Sequence, residues 1–451
     1  MAQSLVEAFS SPEVRNYASA YSIVRTFQYL ASQRKLRDIR TIFHLLNNAE
    51  FKLTASAFNT MLQASAIAQD LHGFRFVLSI MVARQIRPTW ESWASLLELV
   101  SYRSLTDAHT IRERMRALNL LHNPAARKSV ASLLIKRDFQ EWLDNGKDGK
   151  QFLAHYDQLF WGPEWLSGES ANALVDVRAT RGQFAIISSL LDEFDARRCK
   201  LDVVILNTIL TLAATHGNVA AGITLASRLL HPGYQIRPDA NTFKQLYALV
   251  WHRRCPNLVR VVWRYACMAG HVDFKMRRDI HDSVVAFSDS RSRNITRQDR
   301  PQRRFNQADP PSRNAVFRSF AGKLAVGVPT GQKRADTTVT TETEHWLLTH
   351  GAEKEKDIPE AEFRVARDKR LTEIFQEDIA SYGELLPRFP LRTMLEEAFA
   401  QDTSWKKDGL VDDLDKMFAS AIQVPVVKNI VADGEGGPDF EKASRAPLSD
   451  I

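Results

Sequence analysis

Three cysteines, Cys199, Cys255 and Cys267, are all that the 451 residues contain. An odd, scattered set without a CxxC pair supports neither a disulfide framework nor a structural zinc site. Such a chain suits a reducing compartment, or one that does not depend on disulfides. Long apolar runs are missing too: nothing approaches the roughly 18 consecutive apolar residues that mark a membrane span, so no transmembrane role is expected. Catalytic signatures are equally scarce. There is no HExxH pair, no Walker phosphate loop, no nucleophile elbow and no carboxylate cluster of the metal-nuclease kind. The sequence reads as no enzyme, with no cofactor and no metal ligands.

What is present is a large apolar mass with an excess of cations. Hydrophobic residues make up 44% and charged residues 25%, and the net charge is +7. A balance of that sign raises the expectation of a polyanionic partner, RNA above all.

The chain also repeats itself. "ANALVDVRATRGQF" at 171–184 is followed 35 residues later by "LNTILTLAATHGNV" at 206–219, with Asn172 on Asn207, Ala179 on Ala214, Thr180 on Thr215 and Gly182 on Gly217. The same spacing links Ile23, Phe58 and Trp93, and again Phe27, Leu62 and Leu97. Within a unit the apolar residues recur at three and four: Phe58, Met61, Leu62, then Phe74, Val77, Leu78, Met81. That is one buried stripe on each of two short helices. "AQDLHG" reads as the turn between them, and Pro88 in "RQIRPT" ends the second. Such a helix pair cannot bury its own apolar faces; stacked copies bury them jointly. The expected fold class is therefore all-α, an α-solenoid of stacked helix-turn-helix repeats with a period of about 35 residues, with a partly disordered C-terminal extension.

About seven units are counted, clearest near Ile23, Phe58, Trp93, Ala171, Leu206 and Phe243, with a two-residue insertion in "HPGYQIRPDANTF". The expected organisation is repeats at 1–124, a degenerate helical insert or repeat at 125–165 and repeats again at 166–287. An Arg-rich disordered linker at 288–345, short helices at 346–425 and a disordered tail at 426–451 complete it. A helical pattern begins almost at Met1. Either there is no cleavable targeting segment, or the chain as read lacks its front end.

The 35-residue period, the "FNTML" and "LNTIL" openings, the glycine turn and the "IRPT" and "IRPD" endings resemble the pentatricopeptide repeat. The likeness spans roughly residues 1–287. The resemblance implies an α-solenoid that binds single-stranded RNA in mitochondria or chloroplasts, one base per repeat read by two or three side chains. It implies reading pairs of Asn59 with Thr89, Asn172 with Asp202 and Asn207 with Asp239; the Asn–Asp pairs resemble uracil readers. Val24 and Ala94 stand in the same slot of their units and cannot hydrogen-bond a base.

Bland alternatives stand beside these. Thr89, Asp202 and Asp239 each precede a predicted helix and fit ordinary N-caps. Arg253, Arg254, Arg260 and Arg264 are candidate contacts to RNA phosphates, or simply a solvated face; Trp251 and Trp263 among them fit a core. "DLHG" at 70–73 echoes a small nuclease domain's motif but falls on an inter-helix turn. The expected function is a non-catalytic single-stranded RNA-binding adaptor in mitochondrial RNA maturation, stability or translation. The competing reading is a protein-interaction scaffold that assists assembly of a mitochondrial ribosome or respiratory complex, with the C-terminal helices docking such partners or folding back on the solenoid.

Overall fold

The computed structural model describes residues 1–49, 51–283, 324–325, 373, 376, 379–380, 382–383, 385–407, 417 and 420–428. Most of the expected linker at 288–345, much of the helical region at 346–425 and nearly all of the tail at 426–451 lie outside the described residues. The described residues form two compact units, Met1–Arg181 with Ser189–Lys200, and Gly182–Ser188 with the residues from Leu201 onward.

The first unit opens with α1 (Ala2–Ser10) and α2 (Pro12–Tyr17) and then runs in helix pairs. The pairs are α3 (Ala20–Ser32) with α4 (Leu36–Asn48), α5 (Ala55–Ile67) with α6 (Leu71–Ala83), and α7 (Trp90–Ser101) with α8 (Leu105–Ala117). Next come α9 (Pro124–Asp144) with α10 (Gly149–Leu159), and then α11 (Gly168–Thr180) and α12 (Phe184–Ala196). The first helices form one row, α3 on α5, α5 on α7, α7 on α9 and α9 on α11. Of the two readings for 125–165, a degenerate helical insert or a repeat, the contacts of α9 with α7 and α11 fit a repeat in the row. It falls out of register because α9 has 21 residues where α5 has 13.

Two registers of apolar residues run through the first three repeats, and all members but one are fully buried. Phe27, Leu62 and Leu97 are completely buried, as are Ile23 and Phe58. Trp93, the third member of that register, is only half-buried. The second unit repeats the plan with α13 (Val203–His216), α14 (Val219–Leu229), α15 (Ala240–His252) and α16 (Pro256–Met268), followed by helical residues 274–283. Its additions are α17 (Leu391–Lys407) and two three-residue strands, β1 (Leu385–Pro387) and β2 (Val426–Lys428), paired antiparallel with Leu386 opposite Val427.

The period is also written in the backbone. Turns after first helices use a positive φ at Arg34, Gln69, Gly182, Gly217 and Arg254; turns after second helices use Gln85, Asn119, Arg198, Gln235 and Gly270. A left-handed residue one step past a helix satisfies its last carbonyls, and glycine does so without steric cost. N-termini are closed by side chains: Asp70 accepts from Gly73 N–H, Ser104 from Asp107, Asn218 from Ala221. Asp70 of "DLHG" is therefore a helix cap, and it also pairs with Arg40.

Arginines tie successive pairs together. Arg84 Nη1 donates to Phe51 O at 2.8 Å, Arg137 to Ser101 O, Arg181 to Gln140 O at 3.2 Å, Arg228 to Ser188 O at 2.9 Å and Arg253 to His216 O at 3.4 Å. Each reaches a carbonyl of the preceding helix pair, and several of these carbonyls lie at a helix C-terminus. A cation there meets both unsatisfied oxygens and the negative end of the dipole.

Candidate nucleic-acid interface

The reading residues sit where first helices meet. Asn59 lies on the second turn of α5, and Thr89 is the residue before α7. Asn59 Nδ2 donates to Thr89 Oγ1 at 2.8 Å, and Ser92 Oγ donates to Asn59 Oδ1 at 2.6 Å while accepting from Thr89 N–H at 3.1 Å. The Thr89 hydroxyl hydrogen goes to Glu91. In the second unit Asn207 of α13 repeats the arrangement. Its Nδ2 lies 3.2 and 3.4 Å from the two Asp239 oxygens, and Thr242 Oγ1 lies 2.8 Å from Asn207 Oδ1. Thr242 Oγ1 is also 2.9 Å from Asp239 Oδ1, so its one hydrogen serves one acceptor at a time.

Residues 30 or 32 positions apart are thus brought into contact in both units. The contact joins the first helix of one repeat to the N-terminus of the next first helix. Asp239 is at once a cap, accepting from Thr242 N–H at 2.7 Å, and the partner of Asn207. Burial opposes its ionisation, but the Thr242 N–H and hydroxyl, the Asn207 amide and the Asn241 N–H outweigh it, so its pKa lies below the usual carboxylate value. It is a half-buried, ionised acceptor.

The asparagines are less open than the sequence suggests. Asn207 is only 8% exposed, and both ends of its amide are engaged within the protein. It does not present a free edge to a base; it fixes the Asp239 carboxylate. Asn172 differs. It is half-buried, and its Oδ1 has no hydrogen-bond partner among the described residues. In sequence register the position of Ser92 and Thr242 is here Ile205, which has no hydroxyl to donate. Asp202 is exposed and caps α13 through Val204 N–H at 3.0 Å. Asn172 and Asp202 fall in different units.

The expected phosphate-tracking arginines divide. Arg253 is exposed and Arg254 half-buried. Arg260 and Arg264 are corrections: they are 3% and 1% exposed and reach no solvent-facing groove. Arg260 donates to Leu324 O at 3.1 Å and to Gln423 Oε1 at 3.2 Å; the Arg264 guanidinium lies 3.8 Å from the Tyr382 ring centre. The C-terminal chain covers them. Trp263 is fully buried, as a core reading requires, whereas Trp251 is half-buried and stacks on Tyr247 at 5.3 Å.

The residue that the sequence does not advertise is Asp402. Helix α16 starts Cys255–Pro256, and cysteine makes no cap bond there. Asp402 of α17 replaces it, accepting from Asn257 N at 3.0 Å, Asn257 Nδ2 at 3.0 Å and Leu258 N at 3.1 Å. Asn257 Oδ1 in turn accepts from Ile422 N–H at 2.9 Å, and Tyr265 donates to Phe389 O at 2.5 Å. The signal was a buried helix start with no capping residue of its own. For this helix, folding back is what the C-terminal chain does: α17 packs on α14 and α16. Among the described residues no group of His, Cys, Asp and Glu is arranged to hold a metal ion, and no helix is long and apolar enough to cross a membrane.

No protein-family model matches the chain, and no curated protein matches it. Among solved structures, it is similar to the pentatricopeptide repeat protein PPR10 in complex with an 18-nucleotide psaJ RNA element, at 14% identity and a TM-score of 0.33, over 93% of this chain and 63% of that one. It is also similar to PPR10 from maize, at 11% identity and a TM-score of 0.25, over 90% of this chain and 70% of that one. The chain therefore spans less than two thirds of the first of these relatives.

Proposed function

We propose that the protein is a non-catalytic adaptor that binds single-stranded RNA along its row of first helices, in mitochondrial RNA maturation, stability or translation. The observation that carries this reading is the Asn207–Asp239 contact and its counterpart, Asn59–Thr89. Residues that the repeat resemblance pairs across 30 and 32 positions of sequence meet in these two repeats.

The chemistry at that point suits a base. Asp239 is held ionised, with Oδ1 accepting from Thr242 N–H and Oδ2 lying 3.4 Å from Asn207 Nδ2; the Asn241 N–H also bonds the carboxylate, whose two oxygens together can accept about four hydrogen bonds. A carboxylate oxygen with spare acceptor capacity takes an imino N–H such as that of uracil, and repels the ring acceptor that cytosine offers in its place. Asn207 acts behind it as the positioning residue. The Asn172 carbonyl oxygen, by contrast, is buried without a hydrogen-bond partner among the described residues and offers no edge to a base. One base contact is worth about 1–3 kcal/mol, so a few such units give modest affinity and backbone contacts must add to it. The mitochondrial setting comes from the repeat resemblance alone and is tested by protease protection of a tagged chain in isolated organelles.

The test is fluorescence anisotropy of uridine-rich and adenosine-rich single strands against the full chain and Asp239→Ala. The reading expects a uridine preference that Asp239→Ala reduces about tenfold, at an unchanged salt slope. If the wild-type chain binds neither strand, the scaffold reading takes its place.

A further inference from the structure

The first helix of the row ends in an exposed face whose chemistry is unlike that of the helices behind it. In α5 and α7 one face looks back toward the preceding first helix, as the Ser92–Asn59 hydrogen bond shows. Along that face the residues are Ala57, Thr60 and Ala64 in α5, and Ser92, Ser95 and Leu99 in α7, all buried. Five of the six are small, which lets neighbouring helices approach closely.

In α3 the same positions, 35 earlier, are Ser22, Arg25 and Tyr29, and all three are exposed. Tyr21, on the adjoining corner, is 69% exposed, and Tyr29 is 37% exposed. The Arg25 guanidinium lies 5.3 Å from the Tyr21 ring centre and its Nε donates to Tyr21 Oη at 2.9 Å. Tyr21, Arg25 and Tyr29 are spaced by four, so they form one ridge along the helix. Helix α3 packs on α4 and α5, and α1 packs on α4. At the far end of the ridge, Arg34, Lys35 and Arg37 are exposed. Neither they nor Arg25 pair with a carboxylate among the described residues.

We infer that this ridge is a stacking platform for unpaired bases, where a single strand bound along the first-helix row passes over α3. An aromatic ring accepts any base on its face, a guanidinium stacks and holds phosphate at once, and the flanking cations neutralise the backbone. Continuity with the row that carries Asn59 and the cationic surroundings commit the face to nucleic acid. The contacts are sequence-tolerant, unlike those at Asp239. This inference rests on the proposed RNA reading and adds a second, separable contribution to it.

The experiment uses the full chain and fluorescein-labelled uridine-rich and adenosine-rich single strands of about a dozen nucleotides, titrated at several salt concentrations. Tyr21→Ala/Tyr29→Ala lowers affinity about tenfold for uridine-rich and adenosine-rich strands alike, with the salt slope unchanged, and Tyr21→Phe/Tyr29→Phe restores it. Arg25→Ala reduces the slope by about one. Both exposed tyrosines leave the core untouched, and circular dichroism melts verify that the variants fold. Wild-type affinity in the double alanine variant, beside a loss in Asp239→Ala, overturns the platform while leaving base reading in place. Failure of the wild-type chain to bind either strand overturns both.

Discussion

Asn207 Nδ2 and the Asp239 carboxylate meet at 3.2 Å, joining the body of α13 to the cap of α15. This pair is a structural tie as well as a candidate reading site. Asn207→Ala removes the amide contacts to both Asp239 oxygens and to the Thr242 hydroxyl, which is left with Asp239 as its acceptor. A loss of about 1–3 kcal/mol in urea denaturation is expected. Asn172→Ala removes an amide whose carbonyl is unmet, and its stability cost is expected to be smaller. The comparison separates scaffolding from recognition within one repeat type.

Asp402 gives the structure a pH dependence. Burial lifts its pKa to about 7, against three N–H donors that favour the charged form. The folded chain therefore holds more protons than the unfolded one between the ordinary carboxylate pKa and about 7. Its contribution to stability is full at the acid end of that window, falls as pH rises through it, and is level above. Thermal melts from pH 4.5 to 8, a range set by that window, should show the fall in the wild-type chain and a flatter curve in Asp402→Asn.

Thiol chemistry checks the same region. The Cys255 pKa is pushed up to about 11, by burial first and by Asp402, with Lys406 3.5 Å away opposing both. Cys267 is buried as well, whereas Cys199 is half-exposed. A thiol reagent at pH 8 should label Cys199 first. Cys255 and Cys267 should react at the rate at which the α16–α17 packing opens.

Much of this architecture was legible in the residues. The coincidence of Asn172 with Asn207 and Gly182 with Gly217 marks a period, and Phe27, Leu62 and Leu97 keep it in a fully buried register. Charge misled. Arg84, Arg137, Arg181, Arg228 and Arg253 bond carbonyls of the helix pair before their own, and Arg260 and Arg264 are sealed by the C-terminal chain. A cation count cannot separate these from cations left for phosphate, because both uses place arginine on a helix surface. Asp402 escaped for another reason: the uncapped start at Cys255–Pro256 shows that a cap is missing but not which residue supplies it. Asp402 caps a helix that begins 146 positions earlier in the chain, and no local spacing records such a contact.

The glycine turns allow a backbone test. Gly217 has φ 65°, and a Cβ there would also press on the Arg253 guanidinium. Gly217→Ala should cost about 1 kcal/mol, and more if Arg253 must release His216 O. Urea midpoints measure it.

The most direct measurement of the central claim is the uridine-over-adenosine affinity ratio of the full chain at fixed salt, for wild type and Asp239→Ala. A carboxylate that accepts an imino hydrogen predicts a clear uridine preference in the wild type, lost about tenfold in the variant while the salt slope stays the same. Equal ratios in the two proteins would mean that Asp239 only caps its helix, and would contradict the account.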